Sequence, residues 1–173
     1  MHSDEQSPRQ DLQGAEAIAK LKELAEKAGS CMFTTKVDAF PHTSRPMALQ
    51  AVDEAGKLWF ISSRKSHKNM EIESDNRVAL YFQNRGSYEF LVVSGTASIE
   101  TDKTLIEKYW TDFANAWFDG KDDPDVTLLR VSPVDSDYWD TKDGKIVSFI
   151  KMSFNALTNQ KSSDGGLEGK LDV

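Results

Sequence analysis

The sequence has little of what several protein classes require. It has a single cysteine, Cys31, in 173 residues, so no intrachain disulfide can form and a small secreted scaffold held by cross-links is excluded. The three histidines, His2, His42 and His67, show no ligand spacing with one another or with Cys31, so a zinc site has no support. No apolar run approaches the roughly 18 residues of a spanning helix. The first ten residues, MHSDEQSPRQ, are polar and lack the apolar core of a secretory signal. A cytoplasmic chain with no membrane partner is the expectation. Basic residues are the minority, 21 Lys and Arg against 28 Asp and Glu, for a net charge of −7. Such a chain repels nucleic acid unless a basic stripe with interleaved aromatics is set apart on one face, and none is visible. A Gly-rich phosphate loop and a G-x-G-x-x-G turn are both missing. The acids Asp119, Asp122, Asp123 and Asp125 lack the spacing of a calcium loop and read as a solvated turn.

What is present suits one ordinary domain. The chain is 39% hydrophobic and 10% aromatic, enough for a core without staples. From Asp11 to Ala28 the residues Ile18, Leu21, Leu24, Ala25 and Ala28 recur at helical spacing, and Gly29 supplies a stop. The period then changes. Strands are expected at 31–37, 47–52 and 58–62, the last two joined by the hairpin turn Asp53-Glu54-Ala55-Gly56. Ser66 begins a short helix that ends at Asp75-Asn76. Strands follow at 78–83 and 90–100, the second holding Gly95, which marks a bulge or a close approach. A long helix is expected from Asp102 to Gly120, with Leu105, Ile106, Tyr109, Trp110, Phe113 and Trp117 on one side. Stripes of this kind are core or dimer packing more often than a ligand box. Val126–Val131 reads as a strand, Pro133–Asp137 as a connector and Ile146–Phe154 as the final strand. Residues 1–10 and 155–173 read as flexible tails, leaving a single domain over 11–154. Short strands joined by tight turns favour a mainly β, α+β domain: an antiparallel barrel of six or seven strands with flanking helices.

The segment Ser63-Arg64-Lys65-Ser66-His67-Lys68 holds three permanent cations and no acid. If Ser66 caps a helix, its free N–H groups and partial positive charge add to those cations. A strand end, hydroxyls, a helix start and a lysine together suit a phosphate monoester. The competing reading is a solvated hairpin end with ordinary surface cations, since helix starts favour serine.

The ordered set of fragments carries a resemblance. Helix, strand, Arg45-Pro46-Met47, Leu58-Trp59-Phe60, Ser66-His67-Lys68, Val93-Ser94-Gly95-Thr96-Ala97 and Asp137-Tyr138-Trp139-Asp140 follow one another over about residues 11–154. This order is similar to the pyridoxamine 5′-phosphate oxidase-like superfamily of FMN-binding split barrels, above all its bacterial general stress protein branch. The resemblance implies that Arg45 and the strand through Pro46, Met47, Ala48, Leu49 and Gln50 lie along the flavin. It implies Ile61 and Ser62 at the phosphate or ribityl chain, and Ser66, His67 and Lys68 in place of the oxidases' S-R-K motif. His67 stands where that motif has arginine, with Arg64 just outside it. Phe90 stands where the oxidases have glutamine. Trp139 matches a tryptophan that packs on the flavin of the partner subunit. Downstream, Thr141 to Ile146 contains neither arginine nor histidine, whereas the oxidases bind their substrate there through R-x-H.

The resemblance therefore implies an FMN-binding flavoprotein, a homodimer with shared flavin sites, and a flavin-dependent oxidoreductase linked to stress response rather than a true pyridoxamine-phosphate oxidase. NAD(P)H or a small redox substrate is the implied partner. The alternative is a non-catalytic protein that binds, senses or stores flavin. No catalytic residue and no metal ligand is assigned.

Overall fold

A computed structural model describes residues 10–140 and 167–173. The helix α1 (Gly14–Ala28) follows the two-residue strand β1 (Leu12–Gln13) and ends at Gly29, whose φ of 73° closes it. Its buried stripe is Ala17, Leu21, Leu24 and Ala25, the face the apolar spacing prescribes. β2 (Ser30–Thr35) and β3 (Thr43–Ala48) pair antiparallel, with Cys31 opposite Met47 and Phe33 opposite Arg45. β4 (Ala51–Val52) forms a hairpin with β5 (Leu58–Ser63). Asp53 organises that turn: its carboxylate accepts from the backbone N–H of Ala55 and Lys57 and from the Trp59 indole at 2.9–3.0 Å. The helix α2 (His67–Ser74) then leads into β6 (Arg77–Asn84) and β7 (Glu89–Glu100).

The longest strand is β8 (Val126–Asp140). One edge pairs with β7 along most of its length, while the other is shared: residues 126–131 pair with β5 and residues 137–140 with β9 (Leu167–Asp172). The sheet runs β1-β9-β8-β7-β6-β2-β3, with β5 and β4 branching from β8. It is mostly antiparallel and does not close, because β3 pairs with β2 and β4 with β5 while Leu49 and Gln50 lie between them. This is the α+β split barrel expected from the sequence, with nine strands among the described residues where six or seven are expected. The core lies between α1 and the inner sheet face, where Phe33 and Phe60 meet edge to face at 5.3 Å. A second, smaller core stacks Trp59 on Tyr109 at 4.4 Å beside Val126 and Leu128. No helix among the described residues is long and apolar enough to cross a membrane.

The structure departs from the sequence-based expectations in five places. The strand expected at 47–52 is divided into β3 and β4, because Leu49 and Gln50 carry the chain from pairing with β2 to pairing with β5. The helix from Asp102 stops early: α3 (Lys103–Tyr109) gives way to extended backbone at Trp110 and Thr111, then a short 3-10 turn at Asp112–Ala116. The aromatic stripe is thereby divided. Tyr109 is buried on Trp59 and Trp110 packs on Phe118, while Phe113 and Trp117 are exposed, so Trp110 and Trp117 do not share one helix face. Residues 133–137 are strand rather than connector, because a register shift at Ser94 and Gly95 accommodates Pro133 without ending the ladder. A Cβ on Gly95 would stand 2.3 Å from the Ser132 carbonyl oxygen, which is why a glycine sits there. The domain also extends past the expected boundary. Leu167–Asp172 pairs antiparallel with β8 and parallel with β1, and Leu171 is buried in the main core. The polar sequence of that segment conceals a strand held by its backbone. Finally, α1 begins at Gly14, since Leu12 and Gln13 are used for the pairing with β9. The strand expected at Ile146–Phe154 lies outside the described residues.

Candidate functional site

Two regions of the fold gather the residues singled out in the sequence. The first surrounds the start of α2. Ser66 is the N-cap, with φ −69° and ψ 147°, and its hydroxyl accepts from the Asn69 N–H at 3.3 Å. Asn69 is buried, and its side chain joins three elements. Its Oδ1 accepts from the hydroxyls of Ser62 (2.6 Å) and Ser66 (3.0 Å), and its Nδ2 donates to Thr127 Oγ1 (3.0 Å). Thr127 in turn donates to the Ser62 carbonyl at 3.0 Å. The end of β5, the start of β8 and the cap of α2 are thus locked together. The N–H groups of His67 and Lys68 lie in the first turn, ahead of any acceptor within the helix.

Arg45 stands beside this helix on β3. Its Nη1 donates to Thr35 Oγ1 (2.8 Å) and the Phe33 carbonyl (3.3 Å), and its Nη2 to Glu71 (2.9 Å). The Thr35 hydroxyl also donates to Glu71. Burial pushes the Glu71 carboxyl up, but the bonds from Thr35 and Arg45 outweigh it and hold the group below its ordinary range. Lys68 is different. Burial, then the charge of Arg45, lowers its pKa, and among the described residues no carboxylate pairs with it. Arg64 lines a cavity with Asn69 and Thr127 while its Nε donates to the Pro124 carbonyl at 3.2 Å, and Ser63 binds Asp125 at 2.5 Å. The acid-free run of the sequence therefore acquires acidic neighbours from a loop 60 residues on.

The second region is a groove of about 500 Å³ on the outer sheet face, lined by Met32, Pro46, Tyr81, Phe90 and Trp139 among others. Met32 is paired across the sheet with Pro46 and with Tyr81, and Phe90 lies opposite Trp139. Met32, Tyr81 and Trp139 are 43%, 47% and 39% exposed, a high share for large apolar side chains placed side by side. The indole of Trp139 donates to Glu168 of β9 at 3.0 Å. Cys31 lies at the groove's floor, its thiol pushed up to about 12 by burial.

The residues named from sequence divide between these regions. Ser62, Ser66, His67 and Lys68 gather at α2, with Arg45 facing them through Glu71. Pro46, Phe90 and Trp139 line the groove. Met47 and Leu49 pack against the main core and Ile61 against the second. Ala48 offers its carbonyl to the Gln50 side chain, whose Oε1 accepts from Thr111. No residue lines both the groove and the cavity that His67 and Glu71 share. Sequence reasoning missed Asn69, Thr127, Thr35 and the pairing role of Glu71. The spacing Ser66-x-x-Asn69 was the available signal, a cap answered by a polar residue three positions on. Elsewhere Glu23, Glu89 and Asp140 converge, but Lys20 binds Asp140 and Lys27 binds Glu89 at 2.9 Å, so that cluster already has its cations.

Comparison with known proteins places the chain. A fungal protein, bli-3 of Neurospora crassa, is 35% identical over 105 residues, 55% of this chain and 50% of that protein. The chain spans about half the length of the curated relatives it matches. A general stress protein 26 structure from Jannaschia sp. CCS1 superposes with a TM-score of 0.68 at 23% identity, covering 91% of this chain and 96% of that one. A general stress FMN/FAD binding protein of Xanthomonas citri superposes with a TM-score of 0.62 at 25% identity, covering 73% of this chain and 89% of its own. The profile described as pyridoxamine 5′-phosphate oxidase like matches residues 16–164, and with the split barrel in place the chain belongs to that family.

Proposed function

We propose that this chain is an FMN-binding flavoprotein of the general stress type, a cytoplasmic homodimer acting as a flavin-dependent oxidoreductase. The observation that carries the reading is Lys68: a half-buried ammonium without a carboxylate partner among the described residues, two residues after a serine cap and beside first-turn N–H groups. That donor set matches a phosphate monoester. The Xanthomonas citri protein, similar in fold, is an FMN/FAD binding protein, which supports a flavin as the phosphate's bearer. When bound, the flavin ring supplies the electron-transfer chemistry. The chain's own residues bind and orient: Lys68 and the start of α2 hold the phosphate, Ser62 and Asn69 fix the strand end beneath it, and the groove excludes water from a planar face.

The spacing of the two regions supports a shared site. Thr127, under the α2 pocket, and Trp139, in the groove, are 12 residues apart on β8, about 40 Å along the strand at about 3.3 Å per residue. A second copy that brings its groove to the pocket would place its Trp139 beside a mononucleotide held at Lys68. A non-catalytic flavin carrier is the second reading. It is favoured by the groove's lining, which offers no carboxylate, histidine or ammonium to move a proton. Flavin titration followed by ultracentrifugation tests the proposal. The expected result is one FMN per subunit on a species of twice the monomer mass; monomers that keep their flavin overturn the shared site. Steady NAD(P)H oxidation by the loaded protein supports the oxidoreductase, and its absence the carrier.

A further inference from the structure

We infer that Glu71 determines how strongly the α2 pocket discriminates a phosphorylated ligand from its dephosphorylated counterpart, by engaging Arg45 and leaving Lys68 without a carboxylate partner among the described residues. The inference rests on the flavin reading above and goes beyond it, because the resemblance implies Arg45 as a ligand contact.

The geometry argues otherwise. Three of the bonds Arg45 can donate run inward, to Phe33, Thr35 and Glu71. Thr35 and Glu71 are bonded to each other as well, so the guanidinium closes a small ring of contacts between β2, β3 and α2. Both ends are well covered: Arg45 is 21% and Glu71 18% exposed at the side chain. An Arg fork committed in this way has no reason to turn outward, since leaving Glu71 half-buried and unpaired is costly. Lys68 and Glu71 are three residues apart on α2 and therefore neighbours on its surface, yet the carboxylate binds Arg45 and not Lys68. Counting formal charges, Arg45, Lys68 and Glu71 sum to +1, with Lys36 a further cation beside Glu71. A neutral group at position 71 raises that sum to +2 and frees one guanidinium N–H within the same pocket.

The test compares the affinities of FMN and riboflavin, whose ratio isolates the phosphate. Glu71→Gln, which keeps an acceptor for Thr35, is expected to raise the ratio about three- to tenfold by tightening FMN alone, because an added charge at this range in a partly covered site is strongly felt. Arg45→Met is expected to lower the ratio by unmasking Glu71 toward Lys68. The double variant Arg45→Met/Glu71→Gln restores the +1 sum and is expected to return the ratio to within about twofold of the wild type, the signature of two coupled sites. Equal changes for both flavins in Glu71→Gln overturn the inference and leave Glu71 a packing residue. So does a double variant that has lost the phosphate preference as fully as Lys68→Met, because Arg45 would then touch the phosphate itself. The double variant answers the question even if Glu71→Gln alone does not fold. Wild-type protein that takes up neither flavin overturns the flavin reading instead, a result visible before any variant is made.

Discussion

The α2 pocket and the outer groove are built on opposite plans. In the pocket nearly every polar group has a partner within the same chain: Ser62, Ser66, Asn69 and Thr127 satisfy one another, and Arg45 satisfies Glu71. In the groove the large side chains Met32, Tyr81 and Trp139 stand half in water, on the sheet face away from α1. A self-satisfied pocket is finished by folding. An apolar face left open is finished by association. The difference teaches where to look for each kind of energy: fold stability in the polar network, assembly in the aromatic face.

The largest effect expected on that comparison comes from Asn69→Ala. It removes three hydrogen bonds from a buried network, for a loss of about 3 kcal/mol of unfolding free energy. Urea denaturation measures it; a loss below about 1 kcal/mol means that the network is ornamental to the fold. Next comes Lys68→Ala. Its expected cost is about 1.5–3 kcal/mol in FMN binding, the range of hydrogen bonds to charged groups, with riboflavin almost indifferent. Equal losses for both ligands place Lys68 in the fold rather than at the phosphate.

Groove substitutions are expected to do the reverse. Tyr81→Lys puts a charge on the proposed dimer face and is expected to yield monomers in sedimentation, while stability moves by no more than about 0.5 kcal/mol, as for ordinary surface changes. A charged variant that stays dimeric removes the groove from the interface. The smallest effect is on pH. Because the Glu71 carboxyl is held below its ordinary value near 4.5, its ion pair contributes fully above that value and is lost as pH falls through the lowered one. Glu71→Gln is therefore expected to show a slightly shallower acid limb in thermal melts between about pH 5 and 3, and an unchanged limb sinks the assignment.

Much of this was legible in the sequence because it was local. The stripe of α1, the Ser66 cap and the Asp53 turn are written in residues a few positions apart, and the structure repeats them. What was not legible depends on distant partners. Nothing near Arg64 announces the loop at Pro124 and Asp125 that binds it. Arg45 and Glu71 are 26 residues apart, and only the β2–β3 pairing and the placement of α2 bring them together. The divided aromatic helix is misread from sequence because Tyr109 and Trp110 keep helical spacing with Phe113 and Trp117, while Tyr109 is fixed on Trp59 and Trp110 on Phe118. The strand at Leu167–Asp172 had too few apolar residues to be seen. Its Gly169 packs so closely that a Cβ would meet the Gln10 carbonyl oxygen at 2.1 Å, which is a backbone interaction and leaves no hydrophobic pattern.

The shared edge of β8 has a consequence for solubility. Between its pairing with β5 through Val131 and with β9 from Asp137, residues 132–136 have no strand on that side among the described residues. An open edge in the middle of a long strand is a template on which another chain can zip. Pro133 withdraws one donor from that template, and the register shift opposite Gly95 twists the rest out of line. Exposed Asp135 adds a charge at the same place. The irregularity that lets one strand serve two neighbours also guards the gap between them against a third.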